Sequence, residues 1–278
     1  MKETPKISIV TVTYNCKTTV EKTIQNVLKQ TYPNLEYIVI DGGSTDGTKE
    51  IIERYADQLA HFVSEPDKGI YDAMNKGIQA ATGEWILFRN AGDFFLDPTT
   101  VEKVFAWYED HGEILITGGT RLFGREGYFD TAYRYSDTNV WQRCELIQAS
   151  TFVRLAVHRE HLFPTDLKIA ADLYVYLELM NSKPRYAVYP HNISLFEFEM
   201  GVSSCNVGDG WKERIEILKR FGATDEEIRK AEKTRCYKIF ARKIITLLNK
   251  SDFTRRLYGR ISFSNWVRQP MDITLANV

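Results

Sequence analysis

Four times within the first ninety residues, a short run of β-branched and aliphatic residues leads through a polar cluster into a segment of helical periodicity. The runs are Ile7 to Val12, Tyr37 to Ile40, His61 to Ser64 and Trp85 to Phe88. Between them, Val20, Ile24, Val27 and Leu28 share one helical face, and Ile51, Ile52 and Tyr55 share another. Tyr71 to Ala81 reads as a third helix, ended by Gly83. Thr18-Thr19-Val20-Glu21 has the spacing of a capping box ahead of the first helix. Strands alternating with helices at this spacing form βαβ units with right-handed crossovers. The near-continuous apolar runs suit strands covered on both faces. The expected fold class is α/β: a Rossmann-like, mostly parallel sheet flanked by helices.

In such sheets ligands sit outside the carboxyl ends of the strands. Four polar clusters fall there: Thr11 to Asn15, Asp41 to Ser44, Glu65 to Lys68 and Asn90 to Asp93. They are distant in sequence and are expected to meet on one rim. The stretch from Glu65 to Asp93 carries more Asp, Lys, Asn and Gly than a solvent-facing helix start needs. It fits a site for a charged ligand, with Asp93 placed for a metal-bound diphosphate.

Several chemistries are excluded. No G-x-G-x-x-G follows the first strand, and there is no G-x-x-x-x-G-K-[ST] or G-x-S-x-G. A formal net charge of −1 steers nothing toward nucleic acid. The four cysteines, Cys16, Cys144, Cys205 and Cys236, form no C-x-x-C and suit a reducing compartment. No apolar run approaches the roughly 18 to 20 residues of a membrane span, and the N-terminus lacks a signal-peptide core. A cytoplasmic protein is expected.

The second half is less regular. Pro98 to Tyr108 reads as helix, Ile114 to Thr117 as strand, and residues 121–136 as hairpin or loop. Ala171 to Met180 is helical with Asp172 near its start, and residues 211–221 and 225–249 read as two more helices. His158 and His161 are assigned to a surface helix rather than a metal pair. Residues 228–260 hold eleven Lys or Arg against two acids, Glu232 and Asp252, with Ile239, Phe240, Ile244 and Leu248 interleaved. Such a segment can lie on an anionic membrane surface. The other reading is a helix packed on the preceding domain with a solvated basic face.

The segments Ile7 to Asn15, Ile38 to Thr48, Glu65 to Gly77, Ala81 to Ile86, Asn90 to Asp93 and Ile169 to Tyr174 together resemble family 2 glycosyltransferases of the GT-A fold. The Asp67 to Asn75 variant resembles the bacterial branch that builds surface polysaccharides. The resemblance implies a catalytic domain over residues 1–210 and a helical C-terminal extension over 211–278. It implies an inverting transfer from a nucleotide-diphosphate sugar, UDP-linked, to a hydroxyl of a glycan or lipid-linked acceptor. Thr11, Thr13, Tyr14 and Asn15 would line the nucleoside pocket, Asp41 would bind the base, and Gly43 and Ser44 would lie beside it. Asp67, Lys68 and Asn75 would contact the nucleotide or its phosphates. Asp93 would ligate Mg²⁺ or Mn²⁺, and Asp172 would be the general base.

The chain departs from the family pattern in two places. The metal motif retains only Asp93, with Asn90 and Gly92 where relatives carry acids. Ile147-Gln148-Ala149-Ser150-Thr151-Phe152 stands where relatives often have a His-Gln pair. A sugar nucleotidyltransferase, or a non-catalytic nucleotide-sugar or glycan-binding protein on the same fold, are the alternatives. Loops near Gly201 to Ser204 are expected to order over the donor, and of the two readings of residues 228–260 the membrane one would place the protein peripherally at the inner face of the plasma membrane.

Overall fold

The computed structural model describes residues 4–124, 127–131, 146–197 and 206–248. The strands are β1 (Ile7–Thr13), β2 (Leu35–Asp41), β3 (His61–Ser64), β4 (Trp85–Phe88), β5 (Asp93–Phe95), β6 (Leu115–Gly124), β7 (Gly127–Thr131), β8 (Thr151–Arg154) and β9 (Tyr186–Glu197). The helices are α1 (Val20–Leu28), α2 (Thr48–Glu53), α3 (Ile70–Ala80), α4 (Thr100–Trp107), α5 (Leu155–Glu160), α6 (Ala171–Asn181), α7 (Val207–Arg220) and α8 (Asp225–Leu248).

One sheet runs in the order β3-β2-β1-β4-β8-β6-β9-β5, with β7 paired to β6. The first four strands in this order are mutually parallel, as the βαβ pattern requires. The pairings β4–β8, β6–β8 and β5–β9 are antiparallel. The parallel half is built by the first ninety residues. Buried side chains on β1, β2, β4, α1 and α4 form the core, including Ile9, Val39, Ile24, Trp85 and Phe105. α3 lies so close to β1 that a Cβ at Gly77 would come within 2.5 Å of Val10, which is why a glycine interrupts that helix.

Register fixes the functional rim. Thr13 pairs with Asp41, and Asp41 with Ser64, so three strand ends lie side by side. The chain after β4 follows β1 further, with Arg89 N–H donating to Val10 O at 2.8 Å.

The opposite rim is closed by a buried carboxylate. Glu36 accepts from Ser8 Oγ, Thr82 N–H (2.5 Å), Thr82 Oγ1 (2.6 Å) and Gly83 N–H (2.9 Å), and pairs with Lys6 at 2.6 Å. The Ala81-Thr82-Gly83-Glu84 motif therefore belongs to this amino-end staple, away from the strand ends where ligands bind. Burial alone would raise the Glu36 carboxyl. The bonds from Lys6, Ser8 and Thr82 outweigh it and hold the group at about 2. A cavity of about 590 Å³ lies at this end, lined by Lys6, Trp85, Phe105, Tyr108 and Asp110 among others.

Two local expectations are corrected. The capping box at Thr18 to Glu21 does not form: α1 has no side-chain cap, and Glu21 instead meets Tyr55 Oη at 3.0 Å and Arg54 at 3.5 Å. A capping box does form at α8, where Thr224 and Glu227 bond reciprocally. His158 is not on a surface: it is 1% exposed, packed between Phe88 and Phe163, and burial pushes its imidazole down to about 4. Among the described residues no three His, Cys, Asp or Glu side chains cluster as a metal site.

The described residues divide into two compact units, residues 4–122 with 130–131 and 146–197, and residues 123–124 and 127–129 with 206–248. The boundary expected at 210 falls inside α7. Among the described residues no helix is long and apolar enough to cross a membrane.

Glu36→Gln is expected to cost about 2 kcal/mol of unfolding free energy in urea titrations, the scale of a buried charge-assisted network. The Glu36 carboxyl lies below its ordinary 4.5, so its contribution is complete above pH 4.5 and is lost as pH falls toward 2. The variant should lose stability less steeply than wild type across that window.

Candidate functional site

The rim is organised by Asp41, which is fully buried at the end of β2. Its Oδ2 accepts from Ser44 N–H (2.9 Å) and Ser64 Oγ (2.6 Å), and its Oδ1 from Ser44 Oγ (2.5 Å). Ser44 Oγ in turn accepts from Asn15 N–H at 2.8 Å, and Asn15 Oδ1 accepts from Thr45 N–H at 3.0 Å. The ends of β1, β2 and β3 are thereby tied into one network. Asn15 takes a left-handed conformation, φ +50°, and Gly43 takes φ +80°. Asn tolerates that region and Gly adopts it freely.

Thr13 and Tyr14 are available to a ligand. Thr13 Oγ1 is buried with no partner among the described residues. Tyr14 is 61% exposed, the solvent-facing aromatic on this rim. Thr11 is different. It has no exposed surface, its hydroxyl donates to Arg89 O at 2.7 Å, and it therefore accepts from Tyr37 Oη at 2.9 Å. Its expected contact with the nucleoside is replaced by a bond inside the sheet.

The turn after β3 brings Asp67 over the end of β2. Asp67 Oδ1 accepts from Gly69 N–H at 2.8 Å, and its carboxylate fills the space that a Cβ on Gly42 would need. Gly42 is thus a glycine because Asp67 lies on it. Lys68 is exposed, with its N–H bonded to Asp72 at 3.0 Å.

Asp93 is 8% exposed and starts β5, paired opposite Phe196. Burial pushes its carboxyl up to about 6, against the pull of the Arg89 cation. Sequence reasoning missed Arg89. It is fully buried, donates from Nη1 to Phe94 O at 3.0 Å and lies 3.9 Å over the Phe95 ring. Its only signal was a charged residue closing an apolar strand. Asn90 Oδ1 is buried without a partner among the described residues. Asp93 and Asn90 would offer oxygen donors only. That fits a hard divalent cation completing its shell with diphosphate oxygens and water.

Asn75 is bonded to the segment between α5 and α6. Its amide is committed to the backbone of Phe163, donating to the carbonyl and accepting from the N–H, both at 2.9 Å. Asp172 lies in the first turn of α6, and Tyr71 Oη is 3.3 Å from its Oδ1. The Asp172 carboxylate is thus tied to the helix that follows Asp67 and Lys68. The Gly201 to Ser204 segment lies outside the described residues.

The family model described as glycosyl transferase family 2 matches residues 8–160. The chain belongs to that family. It is 34% identical over 110 residues to a PGL/p-HBAD biosynthesis glycosyltransferase of Mycobacterium bovis, an alignment covering 38% of this chain and 43% of that protein. Less than half the length of that relative is therefore matched. In fold it is similar to residues 1–349 of TarS from S. aureus, with a TM-score of 0.59 at 19% identity over 81% of this chain and 68% of that one. It is also similar to the mannosyltransferase PcManGT from Pyrobaculum calidifontis, solved with GDP-Man and Mn²⁺. There the TM-score is 0.62 at 21% identity, over 83% of this chain and 70% of that one. The expected GT-A fold is the one observed.

Gly42→Ala is expected to displace the Asp67 carboxylate and weaken nucleotide-diphosphate binding about tenfold, the equivalent of one lost charged hydrogen bond. Isothermal titration with UDP and Mn²⁺, alongside an unchanged circular-dichroism spectrum, checks it.

Proposed function

We propose that this family 2 member is an inverting glycosyltransferase that moves a sugar from a UDP-linked donor to a hydroxyl of a glycan or lipid-linked acceptor, in assembly of bacterial cell-surface polysaccharide. The observation that carries this reading is the link between Asp172 and Tyr71. It sets a carboxylate able to take a proton beside the helix that issues from the Asp67-Lys68 turn. Support also comes from relatives: the TarS segment has been solved in complex with UDP.

In this reading Tyr14 offers an aromatic face to the base and Thr13 a hydroxyl without a partner, while Asn15, Gly43 and Ser44 shape the wall. Asp41 acts from behind, holding Ser44 and Ser64. Lys68 meets phosphate as a point positive charge. Asp93, with Asn90, would hold Mg²⁺ or Mn²⁺, which supplies charge stabilisation to the leaving diphosphate. Asp172 takes the proton from the acceptor hydroxyl as that oxygen attacks the anomeric carbon. The bond to the diphosphate oxygen breaks in the same displacement. A single displacement inverts the centre and needs no protein nucleophile.

The test is Asp172→Asn. Take whichever of UDP-glucose, UDP-galactose and UDP-N-acetylglucosamine most raises the wild-type melting temperature in Mn²⁺. UDP release from it, with water standing in for the acceptor, should fall at least a hundredfold, the lower range for a general base. The melting-temperature rise given by UDP should persist. Release at the wild-type rate would sink the assignment.

We also propose that α8 contacts an anionic membrane. Tyr237 and Phe240 are 67% and 62% exposed, and Arg229, Lys230 and Lys233 are exposed on the same helix. Aromatic rings beside basic groups suit the headgroup level of a bilayer. Residues 249–260, the rest of the basic segment, lie outside the described residues. The full chain should co-sediment with vesicles rich in phosphatidylglycerol and not with pure phosphatidylcholine. Tyr237→Ser with Phe240→Ser should reduce that binding several-fold, and equal binding by both proteins would reject the contact.

A further inference from the structure

We propose that Tyr71 is a positioning residue for the reaction, aligning the Asp172 carboxylate by a hydrogen bond from its phenol. The inference rests on the reading of Asp172 as the general base. Tyr71 stands at the second position of α3, two residues after Gly69 and four after Asp67. Its ring is 5% exposed and packs against Phe163 at a centroid distance of 5.4 Å.

The phenol lies against the first turn of α6, where the backbone of Ala171 and Asp172 favours its ionised form. α6 has no side-chain cap from Ala170. The phenol proton is directed to Asp172 Oδ1 at 3.3 Å. That oxygen also accepts from Leu173 N–H at 2.8 Å. The long O···O separation suits a catalytic bond that tightens once substrate is bound. Burial, and then the Asp172 charge, raise the phenol well above its ordinary value, so the proton stays on Tyr71.

Two further ties keep this geometry. Asn75 clamps the Phe163 backbone. Lys168 Nζ donates to Lys68 O at 3.3 Å and to Thr165 O at 3.2 Å. The 163–172 segment is thus pinned to 68–75 at three places, and the base is referenced to the donor turn. A phenol that only filled space would not need its proton aimed at a carboxylate.

Tyr71→Phe keeps the ring and removes the hydroxyl. Using the same UDP-sugar release assay, kcat should fall about ten- to a hundredfold with donor KM within twofold of wild type. The acidic limb of the kcat–pH profile should move to higher pH, because a carboxylate that loses a donor is harder to ionise. Tyr71→Phe combined with Asp172→Asn should be no slower than Asp172→Asn alone. An unshifted profile with wild-type kcat overturns the inference, as does an additive loss in the double variant. If Asp172→Asn itself releases UDP at the wild-type rate, the base reading fails first. If it is inactive while Tyr71→Phe behaves as wild type, only the present inference fails. The UDP-induced melting-temperature rise reports whether each variant is folded, and Tyr71→Trp, which restores a buried donor without the phenol oxygen, replaces any that is not.

Discussion

A carboxylate out of reach of solvent must satisfy its oxygens within the protein, and Asp41 does so by gathering Ser44 and Ser64 around the end of β2. Because Ser44 also accepts from Asn15, the polar turns after β1 and β2 cannot move independently. Asp67 then rests on Gly42, which brings the third turn onto the same base. The result is a floor whose shape is fixed before any ligand arrives. Binding groups that need no reordering lose less conformational entropy on association.

β2 carries a buried carboxylate at each end, and the two differ in purpose. Glu36 at the amino end is matched by a lysine and by donors that consume it completely into a staple joining β1, β2 and the turn before β4. Among the described residues, Asp41 at the carboxyl end is met by two serine hydroxyls and an amide. The rim it organises keeps a Thr13 hydroxyl without a partner among the described residues and the open ring of Tyr14. One end of the sheet is closed by electrostatics, and the other keeps polar and aromatic groups open to solvent or to a ligand.

The parallel half of the sheet was legible in the sequence because its signals are local: apolar runs of strand length, helical faces and polar strand ends. What stayed illegible depends on partners far along the chain. Thr82 and Gly83 look like part of a ligand-binding stretch until Glu36, some 46 residues earlier, is placed beside them. Asn75 reads as a polar contact for a nucleotide, yet its partner is the backbone of Phe163, 88 residues on. His158 looks like a surface residue because its short helix shows no strong periodicity, and only packing against Phe88 reveals its burial. Tyr71 gave no signal of its own, since a tyrosine at a helix start is ordinary until Asp172 is brought to it. The adjacency of the turns after β1, β2 and β3 followed from topology alone, as strand ends of a parallel sheet share an edge.

In the proposed reading four strand-end turns, and not the closed rim, form the ligand site. Hydrogen–deuterium exchange with and without UDP and Mn²⁺ tests it most directly. Slowed exchange in the peptides covering residues 13–15, 42–45, 66–69 and 90–93, with residues 81–84 unchanged, is the predicted result. Protection confined to residues 81–84 and the neighbouring cavity around Trp85 would contradict it.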